Sequence, residues 1–374
     1  MKKILLCSPF YPNKEHTTCG LANWTRNLLS CSNELDNEFQ IDLLPFDRSV
    51  DLDEESPAWE RLYSGILDYI KLVYQAKKRI QHTEYSIVQV STSASIGLIK
   101  DILLAKLAKR KGAKIIFHFH FGRMPEVLEK NNWETKLMKS VLAMASAVIV
   151  MDMSSYKALQ THGYTNVHYL PNPLADSNFQ KIKLMDGTVN RVKNQILFVG
   201  HVVEPKGVYE LVTACSRIED VTLRIVGKVF ANTKTALEKI AATRDRGKWM
   251  TFVGEIPHDD VLIEMCKCDM FVLPTYTEGF PNVILESMAT GAPTIASAVG
   301  AIPEMLNIGQ EECGICIEPK NVDQVVSSIK KLQKDNDYKK SISDRAKCRV
   351  EEMYNVSSVR SKLNKIWKET MTIK

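Results

Sequence analysis

At 374 residues, with 45% hydrophobic and 25% charged residues, the chain is too long for one ordinary domain and suits two globular ones. A formal charge of +5 permits affinity for phosphates or an anionic membrane, and falls short of a nucleic-acid-binding signature. No apolar run approaches the roughly 20 residues that span a bilayer, and nine cysteines without framework spacing fit a reducing compartment.

The chain opens with two lysines and a short apolar run, Ile4 to Cys7, closed by Ser8 and Pro9. That run is too short for a signal-peptide core, so it reads as a first β-strand of a protein expected to stay in the cytoplasm. Further strand patterns follow at Phe39–Leu44, Ser86–Val90, Lys114–His118, Ala147–Met151 and Val167–Leu170. Helical patterns lie between them at Leu21–Ser30, Ile66–Ile80 and Gly97–Lys109. This alternation predicts parallel βαβ units and a doubly wound sheet. Asp51-Leu52-Asp53 spells a metal-binding DxD, but it sits in an acidic, loop-like segment and reads as solvated charge. The third helical pattern carries Lys100, Lys106, Lys109, Arg110 and Lys111, with Lys114 beyond it and only Asp101 opposing. Leu98, Ile102, Leu103 and Leu107 share it. It is either an ordinary helix with a solvated basic face or a surface that meets anionic headgroups, making a peripheral membrane contact.

Pro171-Asn172-Pro173 closes the first series, and the polar, strand-free stretch from Asp176 to Lys193 reads as a linker. Strand patterns resume at Ile196–Val199, Thr222–Val226, Met250–Val253, Met270–Leu273, Thr294–Ser297 and Ile315–Ile317. A helix starts near Gly207, with Val208, Leu211, Val212, Cys215 and Ile218 on one face. Cys313 and Cys316 form a CxxC in what reads as a buried strand, with no second pair at zinc-like spacing. Gly227 begins no full GxGxxG fingerprint, which leaves a nicotinamide dehydrogenase unsupported. From Val356 onward, Val359, Leu363, Ile366 and Trp367 form one stripe of a last amphipathic helix that needs a surface to cover. The division is therefore 1–175 with 356–374, and 190–355. Two such halves facing each other would leave a cleft at the carboxyl ends of their strands.

Thr277-Glu278-Gly279-Phe280-Pro281-Asn282-Val283-Ile284-Leu285-Glu286 follows a strand and a turn opened by Pro274. Asn282 reads as the N-cap of a helix that Gly291 terminates. The first turn would offer backbone N–H groups and a positive dipole end to a phosphate. Glu286 falls one turn inside the helix and Glu278 on the loop above. Carboxylates beside an anion site are suited to hydroxyl groups, which a sugar and a ribose supply.

EGFPNVILESMATGAPTIAS resembles the hallmark of glycosyltransferase family 4, retaining enzymes of the two-domain GT-B fold. Phe198-Val199-Gly200 followed by Glu204-Pro205-Lys206-Gly207 is similar to that family's strand, loop and phosphate-binding lysine. His201 stands where the family usually has Arg, and histidine offers no bidentate, permanently charged fork. Ser8-Pro9-Phe10-Tyr11-Pro12 followed by Gly20 is similar to the family's first glycine loop, with Cys19 in place of the first of two glycines. His118-Phe119-His120-Phe121-Gly122 stands where the family often has a cleft histidine.

The resemblance implies an α/β GT-B fold, two Rossmann-like domains with the C-terminal helix packing back on the first. It implies a retaining glycosyltransferase that moves a sugar from a UDP- or GDP-linked donor to a carbohydrate or lipid-linked saccharide. Bacterial polysaccharide, O-antigen or glycolipid synthesis is the implied setting. Lys206 would neutralise the diphosphate, Glu278 hold the donor sugar with Gly279 and Phe280 beside it, and Glu286 hold the ribose. Asn282 and Val283 would present the helix start, with Gly20 and His201 near the phosphates and His120 near the transferred sugar. His118 would be packed behind it. No metal or other cofactor is implied. A sugar-nucleotide epimerase of the same fold, or a binding protein that lost turnover, are the alternatives.

Overall fold

The structure is a computed structural model that describes residues 1–11, 20–30, 38–46, 58–243, 248–309 and 311–372. It divides into two units: Met1–Asn172 with Val356–Lys374, and Pro173–Asn355.

The first unit runs β1 (Lys2–Ser8), α1 (Gly20–Ser30), β2 (Phe39–Pro45), α2 (Ala58–His82), β3 (Ile87–Thr92) and α3 (Gly97–Arg110). It continues with β4 (Lys114–Phe119), α4 (Met124–Glu129), α5 (Trp133–Met144), β5 (Ala147–Val150), α6 (Met153–Thr161) and β6 (Val167–Tyr169). Its six strands pair in parallel in the order β2-β1-β3-β4-β5-β6. The inner strands β3 and β5 are buried along their whole length, as expected for parallel strands covered on both faces. One face packs Leu72 and Ala76 of α2, Leu98 and Leu104 of α3 and Met138 of α5 against Val88, Val90 and Phe117. The other packs Trp24 and Leu28 of α1 against Ile4, Leu6 and Ile116.

The C-terminal helix α15 (Val356–Thr372) joins this second face. Its stripe Val359, Leu363, Ile366 and Trp367 is buried there, each side chain contributing about 1.5–3 kcal/mol. The Trp367 indole N–H donates to the Gln89 amide oxygen at 2.7 Å, satisfying two polar groups inside the core.

The basic reading of α3 requires a correction. Lys100 and Asp101 lie on its inner side, both buried and paired at 2.5 Å, with the Thr92 hydroxyl donating to the same carboxylate at 2.5 Å. Burial pushes the Asp101 carboxyl up, and the Lys100 ammonium opposes that shift. Two charges can sit in this interior because each neutralises the other. Lys106, Lys109 and Arg110 remain on the exposed side.

The second unit opens with α7 (Asp176–Met185), then β7 (Val192–Val199), a 3₁₀ turn (Glu204–Lys206), α8 (Val208–Ser216), β8 (Thr222–Val226) and α9 (Ala231–Ala241). Next come β9 (Met250–Gly254), α10 (His258–Lys267), β10 (Cys268–Leu273), α11 (Asn282–Ala289), β11 (Thr294–Ser297) and α12 (Ile302–Leu306). The short pair β12 (Asn307–Ile308) and β13 (Glu311–Glu312), then β14 (Ile315–Ile317), α13 (Val322–Lys334) and α14 (Asn336–Met353), complete it. Its main sheet is parallel in the order β14-β11-β10-β7-β8-β9. The chain leaves β7 toward β8 and β9, then returns on the other side through β10. The strand order thus reverses between β7 and β10, the place where open α/β sheets bind ligands.

Asp176–Lys193 is therefore not a free linker. It holds α7 and the first residues of β7, and its polar sequence hides this because α7 buries only Asn178 and Ile182. Of the CxxC pair, Cys316 lies in β14 and Cys313 is buried just before it, both as free thiols. Burial pushes Cys316 up to about 11 and raises Cys313 as well, so neither is a ready thiolate.

Candidate functional site

In the second unit, two loops leave the sheet side by side at the strand reversal. The first follows β7 through Gly200, His201 and the 3₁₀ turn, and the second follows β10 from Pro274 to Pro281. They are stitched together: the Tyr276 N–H donates to the Pro205 carbonyl at 2.8 Å, and the Thr275 hydroxyl to the same oxygen at 3.2 Å. Gly207 is required where they touch. Its φ of +70° is left-handed, and a Cβ there would lie 1.8 Å from the Pro274 carbonyl oxygen.

This stitching brings Lys206 and Glu278 together. The Lys206 ammonium donates to Glu278 Oε1 at 2.5 Å, although 72 positions separate the two residues. Both remain partly accessible, and neither exhausts its capacity: an ammonium carries three donors, and a carboxylate about four acceptor positions. The pair can therefore meet a phosphate oxygen on the lysine side and hydroxyl groups on the carboxylate side. A third loop fixes the backbone behind Glu278. The Ala301 N–H donates to the Gly279 carbonyl at 2.9 Å, and a Cβ on Gly300 would lie 2.3 Å from the Glu278 carbonyl oxygen. Phe280 is buried against the Tyr354 ring at 5.7 Å, so its side chain anchors the loop.

Helix α11 begins one residue earlier than a cap at Asn282 requires. Pro281 is the N-cap, extended at φ −75° and ψ 114°, with its carbonyl accepting from the Ile284 N–H at 3.1 Å. Asn282 is the first helical residue rather than the cap. Proline's fixed φ holds the half-in position that an Asn side chain would otherwise stabilise. Gly291, at φ +67°, stands just past the Thr290 C-cap as expected.

Glu286 is buried one turn inside α11, and its Oε1 lies 2.8 Å from His258 Nε2. That hydrogen bond raises the His258 pKa, against the opposing pull of burial. Asp259 raises it further and Lys181 of α7 lowers it; these two are themselves paired at 2.5 Å. Neither His258 nor Gly300 was singled out by sequence reasoning. His201, by contrast, is exposed beside Gly200 and, among the described residues, makes no hydrogen bond or ion pair with Lys206 or Glu278.

Gly20 and His120 belong to the first unit. Gly20 is the exposed first residue of α1, and among the described residues a Cβ there would meet nothing within 4 Å. His118 ends up inside β4 and His120 directly after it, with their rings 3.9 Å apart. The Trp24 ring meets both edge-on, at 4.7 and 5.2 Å. His118 is fully buried, and neither of its ring nitrogens has a hydrogen-bond partner among the described residues. Burial drives its pKa well below the ordinary value and lowers that of His120 to about 3, so both rings are neutral at neutral pH. Asp51 and Asp53 lie outside the described residues. Among the described residues no group of three or more His, Cys, Asp or Glu side chains is arranged to hold a metal ion.

Residues 180–349 match the model of the family described as glycosyl transferases group 1. The match spans the β7 loop, Lys206, Glu278 and all of α11. The chain is 28% identical over 182 residues to an MMP alpha-(1->4)-mannosyltransferase of Mycolicibacterium hassiacum, covering 47% of this chain and 43% of that one. It is 25% identical over 241 residues to the capsular polysaccharide biosynthesis glycosyltransferase CapM of Staphylococcus aureus, covering 62% of this chain and 58% of that one. The matches thus span about half the length of these glycosyltransferases. In structure, the whole chain resembles Anabaena HepE in complex with UDP, with a TM-score of 0.71 at 16% identity, covering 99% of this chain and 100% of that one. The two parallel six-stranded sheets with flanking helices are those of the GT-B fold.

Proposed function

We propose that the chain is a retaining glycosyltransferase of family 4, moving a sugar from a nucleotide-sugar donor to a carbohydrate or lipid-linked saccharide. The observation that carries this reading is the Lys206–Glu278 pair at the strand reversal, with Glu286 one turn inside the adjoining helix. The match to glycosyl transferases group 1 over those same residues supports it. The UDP of the HepE complex supports a uridine donor, and CapM supports polysaccharide assembly as the setting.

In this reading the bond between the anomeric carbon and the donor phosphate breaks, leaving its electron pair on the diphosphate. The acceptor hydroxyl oxygen forms the new bond on the same face, and its proton passes to the departing phosphate oxygen. Lys206 and the first turn of α11 stabilise the growing negative charge in place of a divalent cation. Glu278 accepts from sugar hydroxyls, and Glu286 from the ribose. For Gly20, His201 and His120 the assignments rest on the family resemblance. A neutral His120 can exchange hydrogen bonds with a sugar hydroxyl without adding charge. A peripheral contact with an anionic membrane would hold the protein near a lipid-linked acceptor, and no described helix is long and apolar enough to cross that membrane.

Thermal unfolding against a panel of nucleotides and nucleotide sugars tests the donor side. One uridine or guanosine diphosphate sugar is expected to raise the midpoint, because a ligand at a hundred times its Kd stabilises by about 2.7 kcal/mol. Indifference to every member of the panel would remove the reading. Product formed from donor alone would favour the epimerase instead.

A further inference from the structure

Exposed side chains on the outer faces of α2 and α3 are mainly apolar toward the start of each helix and basic toward its end, with the exposed Lys71 set within the apolar stretch of α2. On α2, Ile66, Leu67, Ile70 and Tyr74 are exposed, with Ile70 at 61% and Tyr74 at 68%. On α3, Ile96 at its start, Ile99 and Leu103 are exposed, the latter two at 49% and 44%. Further along, the exposed residues turn basic: Lys77 and Lys78 on α2, and Lys106, Lys109 and Arg110 on α3.

The two helices put these blocks in register. Tyr69 faces α3: its ring lies 5.6 Å from the Lys100 ammonium, and its hydroxyl 3.4 Å from where a Cβ on Gly97 would stand. Ile66 and Ile70, one turn or less from Tyr69, therefore flank Ile96 and Ile99. Both helices lead into the next parallel strand, so they run the same way. Tyr74 then comes level with Leu103, and Lys77 with Lys106. Trp133, 53% exposed, adds to the apolar end: its neighbour Glu134 accepts from the Ser95 N–H at 3.1 Å, beside Ile96. Along α3 the one acidic residue, Asp101, is buried, so every exposed charge is basic.

We propose that this face of α2 and α3 is a membrane-contacting surface that takes an anionic phospholipid bilayer. An apolar block beside a basic one matches the acyl boundary and the headgroups of such a bilayer, with an aromatic at the level between them. The charge selects this occupant, since six or more exposed apolar side chains flanked by one sign of charge suit a negatively charged partner. The apolar end lies at the carboxyl ends of the strands, where the His120 N–H donates to the Thr92 carbonyl at 2.9 Å. A lipid-linked saccharide held in that bilayer would be presented at the His120 end of the sheet. The surface rests on the proposed transfer to such an acceptor for its purpose, and its geometry belongs to the first unit alone.

Co-sedimentation of the full chain with phosphatidylcholine vesicles, with and without phosphatidylglycerol, tests the proposal at low and high salt. The chain should partition onto the anionic vesicles, and high salt should weaken binding without abolishing it. Ile70→Ser with Ile99→Ser should lower partitioning about tenfold and remove the salt-resistant part. Lys77→Gln with Lys106→Gln should lower it about tenfold on anionic vesicles only. Nucleotide-induced thermal stabilisation, measured on the same samples, should be unchanged in both variants and certifies their folding. Absence of vesicle binding by a nucleotide-responsive chain overturns the surface and leaves the donor reading standing. Variants that bind as well as the parent overturn it too, as does a dimer that Ile70→Ser with Ile99→Ser disperses, which would mean that a second copy covers this face. Vesicle binding without any nucleotide response contradicts the donor reading alone.

Discussion

His258 and Glu286 meet at 2.8 Å inside the second unit, and this contact gives the carboxylate proposed to hold the ribose a fixed orientation before any ligand arrives. Because that hydrogen bond raises the histidine's folded-state pKa above 6.5, its contribution to stability is fully present below the unfolded value. It fades as pH rises through the raised folded value. His258→Gln should therefore flatten the pH dependence of the unfolding free energy just above pH 6.5, while Asp259 and Lys181 remain paired. Denaturant titrations across that window measure it, and an unaltered slope would show that the pair does not govern it. The two glutamates should differ in turn. Glu286→Gln is expected to weaken nucleotide binding, whereas Glu278→Gln is expected to lower the rate with binding nearly kept, if its sugar contacts tighten as charge develops. Nucleotide affinity and steady-state rates on both variants separate these outcomes. The histidine was not legible in the sequence because Pro-His-Asp-Asp opens a helix 28 positions away from Glu286, and no periodicity links the two. The places of Lys206 and Glu278 after strand ends, and of Glu286 in the helix that follows, were legible because the turn residues there are locally demanding, while their roles rest on the family resemblance.

Loops and helices carry the next scale. The β7 and β10 loops are joined at Gly207, where a Cβ would overlap the Pro274 carbonyl. Gly207→Ala should cost about 2 kcal/mol or more, from a left-handed conformation and a forced separation of the loops. It should also lower turnover beyond what the stability loss explains, because Lys206 moves with the loop. Chemical unfolding and rates below the unfolding midpoint check both effects, and an alanine variant of parental stability would mean the loops are not packed as described. Strands were the most legible elements: Thr222–Val226, Thr294–Ser297 and Ile315–Ile317 coincide with β8, β11 and β14, since short apolar runs bounded by turn residues have few other uses. Helix α7 was illegible for the opposite reason. With only Asn178 and Ile182 buried, it has almost no apolar stripe to detect. Lys100 was misread because a lysine at a helical position reads as solvated unless its partner is known, and Asp101 is its immediate neighbour.

Over the whole molecule, the two sheets put their chemistry at strand ends in different ways. The second unit gathers a cation, two carboxylates and a helix start around one strand reversal. The first offers a neutral histidine pair against Trp24 and an open Gly20. The two-unit division and the return of α15 to the first sheet were visible as two strand series and a terminal apolar stripe. The central claim is that a lysine, rather than a divalent metal, neutralises the departing diphosphate. The most direct test is the initial rate of sugar transfer in excess chelator, measured for the parent chain and for Lys206→Ala with its folding verified by circular dichroism. The account predicts that the parent keeps its rate in chelator and that Lys206→Ala falls by about a hundredfold or more. A folded Lys206→Ala chain with near-parental turnover, or a parent whose activity vanishes in chelator and returns with magnesium or manganese, would contradict it.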